Sequence, residues 1–242
     1  HGQWETGTCN DAASLKASMQ QAIQNPNRMV KSVWRPKLRR SSDLPKAPAR
    51  GQAARLCIAL LVRGTSTHIL RSFVRYHTHI GFERIFIYLD APEEEDVVAL
   101  RNLEGVHLQC CDEEFWQARL ASSIMVTERA ARPEFDDVAR CWRHEAQSRQ
   151  CLCIEDAICL ATDMGIDWLL HIDADELFLP QTAHPAAFFC AVPAEFEQVL
   201  LANHEAVPEK LEVSDWFEEV SLFKVNRDFA GAERVKQVWS EV

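Results

Sequence analysis

Long apolar runs are missing from this 242-residue chain. No stretch approaches the roughly 18 consecutive apolar residues of a membrane-spanning helix, so no segment is expected to cross a bilayer as one. The first residues also lack the basic, apolar and small-residue succession of a signal peptide. The chain starts at His1 rather than Met and runs to Val242, and is expected to be a fragment or processed form whose targeting information lies elsewhere. A disulfide pattern is absent too. The nine cysteines (Cys9, Cys57, Cys110, Cys111, Cys141, Cys151, Cys153, Cys159, Cys190) are odd in number, sit among apolar neighbours, and belong to a chain far longer than the small secreted scaffolds that need such bridges. Buried free thiols are expected instead. Cys151 and Cys153 lie two apart in a helical pattern, where side chains do not share a face, which argues against a metal or redox pair. No internal repeat is found, which speaks against a repeat architecture.

Positive charge is scarce outside the first 54 residues. That segment holds nine Lys/Arg against three Asp/Glu, so the rest carries −16 within a total of −10. An acidic body argues against nucleic acid as a partner and suits a site that recruits divalent metal. The Pro- and Arg-rich composition around 35–48 gives residues 1–54 the character of a basic stem or linker, with one short helix expected over 11–24. The 47% apolar content supplies a core for one main domain over 55–242.

From residue 55 the periodicity alternates between strand and helix. Residues 55–62 (RLCIALLV) form a continuous apolar run and a first strand, after which Arg63-Gly64-Thr65 turns the chain into a helix over 66–80 capped by Thr65 or Ser66. Gly81 ends that helix, and 84–89 (RIFIYL) make a second strand that delivers Asp90 to its carboxyl end. A further helix is expected from the Ala91-Pro92 turn, with acids against its dipole. A third strand follows over 106–111. This β-α-β-α-β order predicts an α/β fold with a mostly parallel, Rossmann-like sheet flanked by helices. The pattern breaks over 112–144, where a helical insertion is expected, and helical spacing returns over 145–164. Past Pro180, a short helix over 184–191 and a strand over 198–202 are expected.

The most telling stretch is Trp168 through Pro180 (WLLHIDADELFLP). An apolar strand over 168–172 runs directly into Asp173, Asp175 and Glu176. Carboxylates crowded at a strand end repel one another unless a cation offsets them. Oxygen-only ligation suits Mg²⁺ or Mn²⁺, with coordination positions left for phosphate oxygens. In open α/β sheets, ligands bind beyond the carboxyl ends of strands. A strand end with solvated acids before a loop is the alternative.

Laid out this way, the chain resembles the metal-dependent glycosyltransferases of the GT-A fold, in particular the family 2-like and family 92-like (DUF23-like) groups. Trp168 to Leu177 is similar to their W-[LIF]-x-x-[IL]-D-x-D-E-[FL] strand. Val62-Arg63 with Tyr76-His77-x-x-x-Gly81-Phe82-Glu83-Arg84-Ile85-Phe86-Ile87-Tyr88 is similar to their R-N-E…Y-H-x-x-x-G-V-x-x-F-x-I-Y-D. The chain departs from the second pattern at Gly64-Thr65 and in placing Asp90 one residue late. The resemblance implies a nucleotide-sugar donor (UDP- or GDP-sugar) against the first half of the sheet and a glycan or other hydroxyl acceptor against the second. It also implies a Golgi or secretory-pathway lumen.

Candidate site residues follow. Asp173 and Asp175 are the metal ligands, with Asp173 either sharing the ion or holding the ribose, and Glu176 either joining them or pinning the loop. Arg63 and Asp90 are donor contacts, against surface roles for both. Glu205, beside His204 and after the expected strand over 198–202, is the candidate base for an inverting transfer. Trp216 and Phe217 either stack on an acceptor sugar or belong to the core. Two other functions compete. One is a non-catalytic sugar- or nucleotide-binding module on the same fold. The other is a haloacid-dehalogenase-like phosphatase, which needs Thr or Val where Leu177 stands.

Overall fold

The computed structural model describes residues 53–91, 93–128, 130, 135–179, 185–193, 196–201 and 203–224. The expected stem over 1–54 and helix over 11–24 lie almost wholly outside these residues. The described residues divide into two units: one within 53–193 with 214–218, and one within 196–213 with 219–224.

The larger unit is α/β. Its elements are β1 (Leu56–Val62), α1 (Thr67–His79), β2 (Arg84–Asp90), α2 (Glu94–Arg101), β3 (Val106–Cys111), α3 (Glu113–Ser122), α4 (Ile124–Thr127), α5 (Asp136–Cys141), α6 (Ala146–Asp163), β4 (Trp168–His171) and α7 (Pro185–Cys190). All four strands are parallel, in the order β3-β2-β1-β4. The chain steps outward from β1 through β2 to β3 and then crosses to β4 on the other side of β1. That reversal makes a topological switch point, the place where such sheets bind ligands beyond their carboxyl ends.

Alternation along the central strands explains the two layers. Leu56, Ile58, Leu60 and Val62 of β1, with Ile85, Ile87 and Leu89 of β2, pack on Leu70, Phe73 and Val74 of α1, Leu100 of α2, and Phe178 and Phe189. The intervening Cys57, Ala59, Phe86 and Tyr88 face Trp116, Met125, Val138, Trp142, Leu152, Cys153, Ala157 and Ala161 on α3 to α6 and the α5–α6 turn. Small Cys57 and Ala59 opposite Ala157 and Ala161 let α6 lie close to β1. Fully buried Ile58 and Leu60 each contribute about 1.5–3 kcal/mol of apolar burial.

Arg55 ties the amino edge of the sheet together. Its guanidinium donates to Glu83 (3.0 and 2.5 Å) and to the carbonyls of Met164 (2.6 Å) and Gly165 (3.1 Å). Gly165 ends the turn after α6 with φ +67°, and a Cβ there would stand 3.3 Å from that guanidinium, so a larger residue would strain both backbone and contact.

The expected insertion over 112–144 resolves into α3, α4 and α5, anchored from α6. Tyr88 Oη donates to Asp156 (2.8 Å), Arg119 pairs with the same carboxylate, and the backbone N–H of Ile124 donates to Glu155 (2.8 Å).

Three local expectations need correction. The strand after α6 stops at His171 and is half-buried; among the described residues only β1 pairs with it, which leaves it at the sheet edge. The helix after β2 starts at Glu94, later than the Ala91-Pro92 turn. No strand forms among the described residues of 198–202. In the smaller unit the strands are β5 (Ala206–Val207) and β6 (Leu222–Phe223), a short antiparallel pair. Between them the short helix α8 (Trp216–Glu219) begins in the segment that packs with the sheet unit.

Candidate functional site

Arg63 and Asp90 meet at the carboxyl edge of the sheet. The register that pairs Val62 with Leu89 carries Arg63 alongside Asp90, and the guanidinium stands 3.9 Å from the carboxylate. β2 ends at Asp90 because Ala91 turns the chain with φ +56°, an uncommon conformation for a residue with a Cβ. Asp90 is buried, and its main partner is Arg149 of α6, whose Nε donates at 3.0 Å while its other arm donates to the Trp142 carbonyl at 2.9 Å.

These residues line a cleft of about 200 Å³ with Glu113, Trp116, Trp142 and Arg143. The volume is below the roughly 300–1,000 Å³ of a whole drug-sized site, so the cleft suits one part of a larger ligand. Its charges are largely spoken for. Arg149 is matched by Asp90, and Arg143 donates to Glu113 at 2.8 Å while lying 4.3 Å over the Trp142 ring. Hydrogen bonds from Gln117 and Arg143 pull the Glu113 carboxyl below its usual range. Among the described residues, Arg63, 68% exposed and with only the longer contact to Asp90, is the cleft cation left for an incoming anion. The indoles of Trp116 and Trp142 lie 6.1 Å apart and are both buried in the layer beneath, so they wall the cleft from its core side.

The neighbour of Arg149 reaches the acidic loop. Gln150 Nε2 donates to Asp173 Oδ1 at 2.9 Å, so consecutive residues of α6 hold Asp90 and Asp173. Ile172 separates β4 from Asp173. Asp173 and Asp175 are both exposed, the solvated alternative for these acids rather than the crowded one. Among the described residues β4 is an edge strand, and the turn at 174–175 lets the two carboxylates reach water. Glu176 pins the loop: its Oε2 accepts the Asp173 backbone N–H at 2.9 Å, and its own N–H donates to the Asp173 carbonyl at 3.1 Å. Among the described residues, no group of three or more His, Cys, Asp or Glu is arranged as a metal site. The pair Asp173 and Asp175 still fits a hard divalent ion in one respect, since such ions bind through one or two carboxylates completed by phosphates and water.

Glu205 and His204 lie in the smaller unit. They precede β5 rather than follow a strand. Glu205 is 66% exposed and accepts from Lys224 Nζ at 3.0 Å, while its carbonyl accepts the Lys224 backbone N–H. Phe217 packs against Phe73, with ring centroids 6.4 Å apart, which favours its core role. Asp215, just before α8, is buried and accepts from Ser72 Oγ (3.0 Å) and the Phe217 N–H (3.0 Å), with His68 Nε2 at 3.1 Å.

The sequence reasoning missed Arg149, Gln150, Trp116, Trp142, Arg143 and Glu113. One signal was available: Arg149 stands three residues before Leu152 and four before Cys153 on the buried stripe of α6, where an arginine needs a partner.

Comparison with known proteins bears on this arrangement. One protein of Arabidopsis thaliana named glycosyltransferase-like is 28% identical over 163 residues, covering 64% of this chain and 34% of its own length. A second Arabidopsis thaliana protein of that description is 34% identical over 88 residues, covering 35% of this chain and 17% of itself. The relatives support a glycosyltransferase family. The chain spans about a third or less of the length of these curated relatives. No family model matches it, and no solved structure matches it significantly.

Proposed function

We propose that the chain is a metal-dependent glycosyltransferase of the GT-A type, transferring a sugar with inversion from a UDP- or GDP-sugar to a hydroxyl of a glycan or other acceptor. The observation that carries this reading is the meeting of Arg63 and Asp90 in a tryptophan-lined cleft at the carboxyl edge of the sheet, with Asp173 tethered to the same helix end.

In this reading the nucleobase and ribose occupy the cleft. Asp90 accepts from a ribose hydroxyl, and Arg63 meets the diphosphate. Asp173 and Asp175 would hold Mn²⁺ or Mg²⁺, which when bound supplies Lewis-acid stabilisation of the leaving diphosphate. Gln150 occupies one oxygen of Asp173 and so orients the carboxylate. Transfer breaks the bond from the anomeric carbon to the diphosphate oxygen and forms one to the acceptor oxygen. The acceptor proton must go to a base, a contribution of typically about 10²–10⁴ in rate. Glu205, exposed and neighboured by His204, is the proposed base.

Donor hydrolysis with and without Mn²⁺ tests the reading. Mn²⁺-dependent release of nucleoside diphosphate is expected. Nucleotide binding without turnover would leave a binding module, and phosphate release from phosphomonoesters would point to the phosphatase.

A further inference from the structure

The two stretches that resemble glycosyltransferases, about 85 residues apart in sequence, touch in the fold. Phe178 follows the acidic loop and is buried, but among the described residues no strand neighbour satisfies its backbone. Consecutive side chains of α1 do so instead. Its N–H donates to His77 Nε2 at 3.2 Å, and its carbonyl accepts from Tyr76 Oη at 2.9 Å. His77 is oriented by its other nitrogen, which lies 2.9 Å from the Phe73 carbonyl. A carbonyl only accepts, so Nδ1 carries the proton and Nε2 presents the lone pair that Phe178 needs. The rings of Phe73, Tyr76 and Phe82 surround the imidazole, with centroids at 4.2, 5.0 and 5.7 Å. Phe82 and Phe189 in turn hold the Phe178 ring at 5.8 and 6.0 Å.

We propose that Tyr76 and His77 are positioning residues for the acidic loop: by clasping both backbone polar groups of Phe178, they set where Asp173 and Asp175 stand. At its start the loop leaves β4 and is held by Gln150 and Glu176; at its end it is held by this clasp. Between those anchors Asp173, Asp175 and Leu177 are exposed, with little packing of their own to fix them. Two hydrogen bonds from one helix turn act on Phe178 as a neighbouring strand would, removing the backbone freedom of a residue three positions from Asp175. Packing alone would explain a buried Phe178 but not a tyrosine and a histidine spending their polar atoms on one peptide unit each side of it.

The functional half of this inference rests on the metal-dependent glycosyltransferase reading, so the test has one arm free of it. Tyr76→Phe keeps the half-buried ring and removes only the hydroxyl. His77→Leu removes the acceptor, and His77→Gln restores a donor and an acceptor on one side chain. In the unliganded full chain, hydrogen–deuterium exchange over 173–179 should quicken at least tenfold in Tyr76→Phe and His77→Leu. The amides of β1 and β2 should keep their protection, and His77→Gln should recover much of the loss. In the second arm, the Mn²⁺ concentration giving half-maximal donor hydrolysis should rise at least threefold in Tyr76→Phe, with nucleoside diphosphate binding in the absence of metal unchanged. Should His77→Leu fail to fold, Tyr76→Phe decides alone. Loop exchange equal to wild type in Tyr76→Phe would overturn the clasp. Faster loop exchange in a protein whose wild type neither hydrolyses donor nor responds to Mn²⁺ would support the clasp and overturn the glycosyltransferase reading instead.

Discussion

Removing Arg149 exposes how the cleft is held. In Arg149→Met the aliphatic stem persists, but Asp90 loses its 3.0 Å partner and the Trp142 carbonyl loses a 2.9 Å donor. Both side chains of the pair are about nine-tenths buried, 10% and 9% exposed, so solvent cannot replace the missing cation freely. Breaking a buried ion pair from one side typically costs about 3–5 kcal/mol. The lower end applies here, because Arg63 at 3.9 Å keeps some positive charge near Asp90. A loss of about 3 kcal/mol, at a urea dependence of about 2 kcal/mol per molar, lowers the unfolding midpoint by about 1.5 M. The double variant Asp90→Asn with Arg149→Met removes the stranded charge and should recover at least about 1 kcal/mol of the loss, a coupling that a double-mutant cycle reads directly. Urea unfolding followed by tryptophan fluorescence measures all four proteins. An Arg149→Met midpoint within about 0.3 M of wild type, or a double variant less stable than Arg149→Met, would refute the reasoning.

Three further predictions concern the same half of the sheet and the proposed base. Burial lowers the His77 pKa to about 4, against the opposing hydrogen bond to the Phe73 carbonyl. The unfolded chain therefore takes up its proton first, near pH 6.5; stability should be complete above that pH and fall by up to about 3 kcal/mol as pH approaches 4, a slope that His77→Gln should flatten in pH-dependent thermal melts. Mn²⁺ with a nucleoside diphosphate should stabilise the fold by about 2.7 kcal/mol when free ligand stands at about one hundred times its dissociation constant, and Asp175→Asn should abolish the metal-dependent part of the thermal shift. An equal shift in that variant would move the ion elsewhere. Glu205→Gln should cut transfer at least about a hundredfold while leaving Mn²⁺-dependent donor binding intact; full transfer would remove Glu205 from the mechanism.

Much of the sheet unit was legible because its strands and helices announce themselves by period. After their opening arginines, LCIALLV and IFIYL are apolar throughout because both faces of β1 and β2 are covered, and α6 runs from Ala146 to Asp163 between an expected start and stop. The parallel β-α-β order followed from the same alternation. Less was legible in 112–144, where α3, α4 and α5 each bury a single residue, Trp116, Met125 and Val138. Such sparse anchoring leaves no periodicity to detect. At the candidate site, Arg63 and Asp90 could be named because each ends a clear strand, and strand register brings them together. Arg149 and Gln150 could not, since their partners are 59 and 23 residues away and only the packing of α6 selects them. The exposed state of Asp173 and Asp175 was not legible for a related reason. A short apolar run does not reveal that β4 lies, among the described residues, at the sheet edge. Beyond residue 195, two-residue strands such as β5 and β6 are too short to imprint a pattern.

The most direct test of the cleft as the nucleotide site is a titration of UDP and GDP, with and without Mn²⁺, read by tryptophan fluorescence in wild type, Arg63→Ala and Trp142→Phe. Saturable quenching is expected in wild type. Arg63→Ala should weaken nucleoside diphosphate binding at least tenfold while leaving nucleoside binding little changed, because that guanidinium is assigned to the diphosphate. Trp142→Phe should lose much of the signal. Wild-type affinity for nucleoside diphosphate in Arg63→Ala, together with an undiminished signal in Trp142→Phe, would show that the nucleotide does not bind in this cleft.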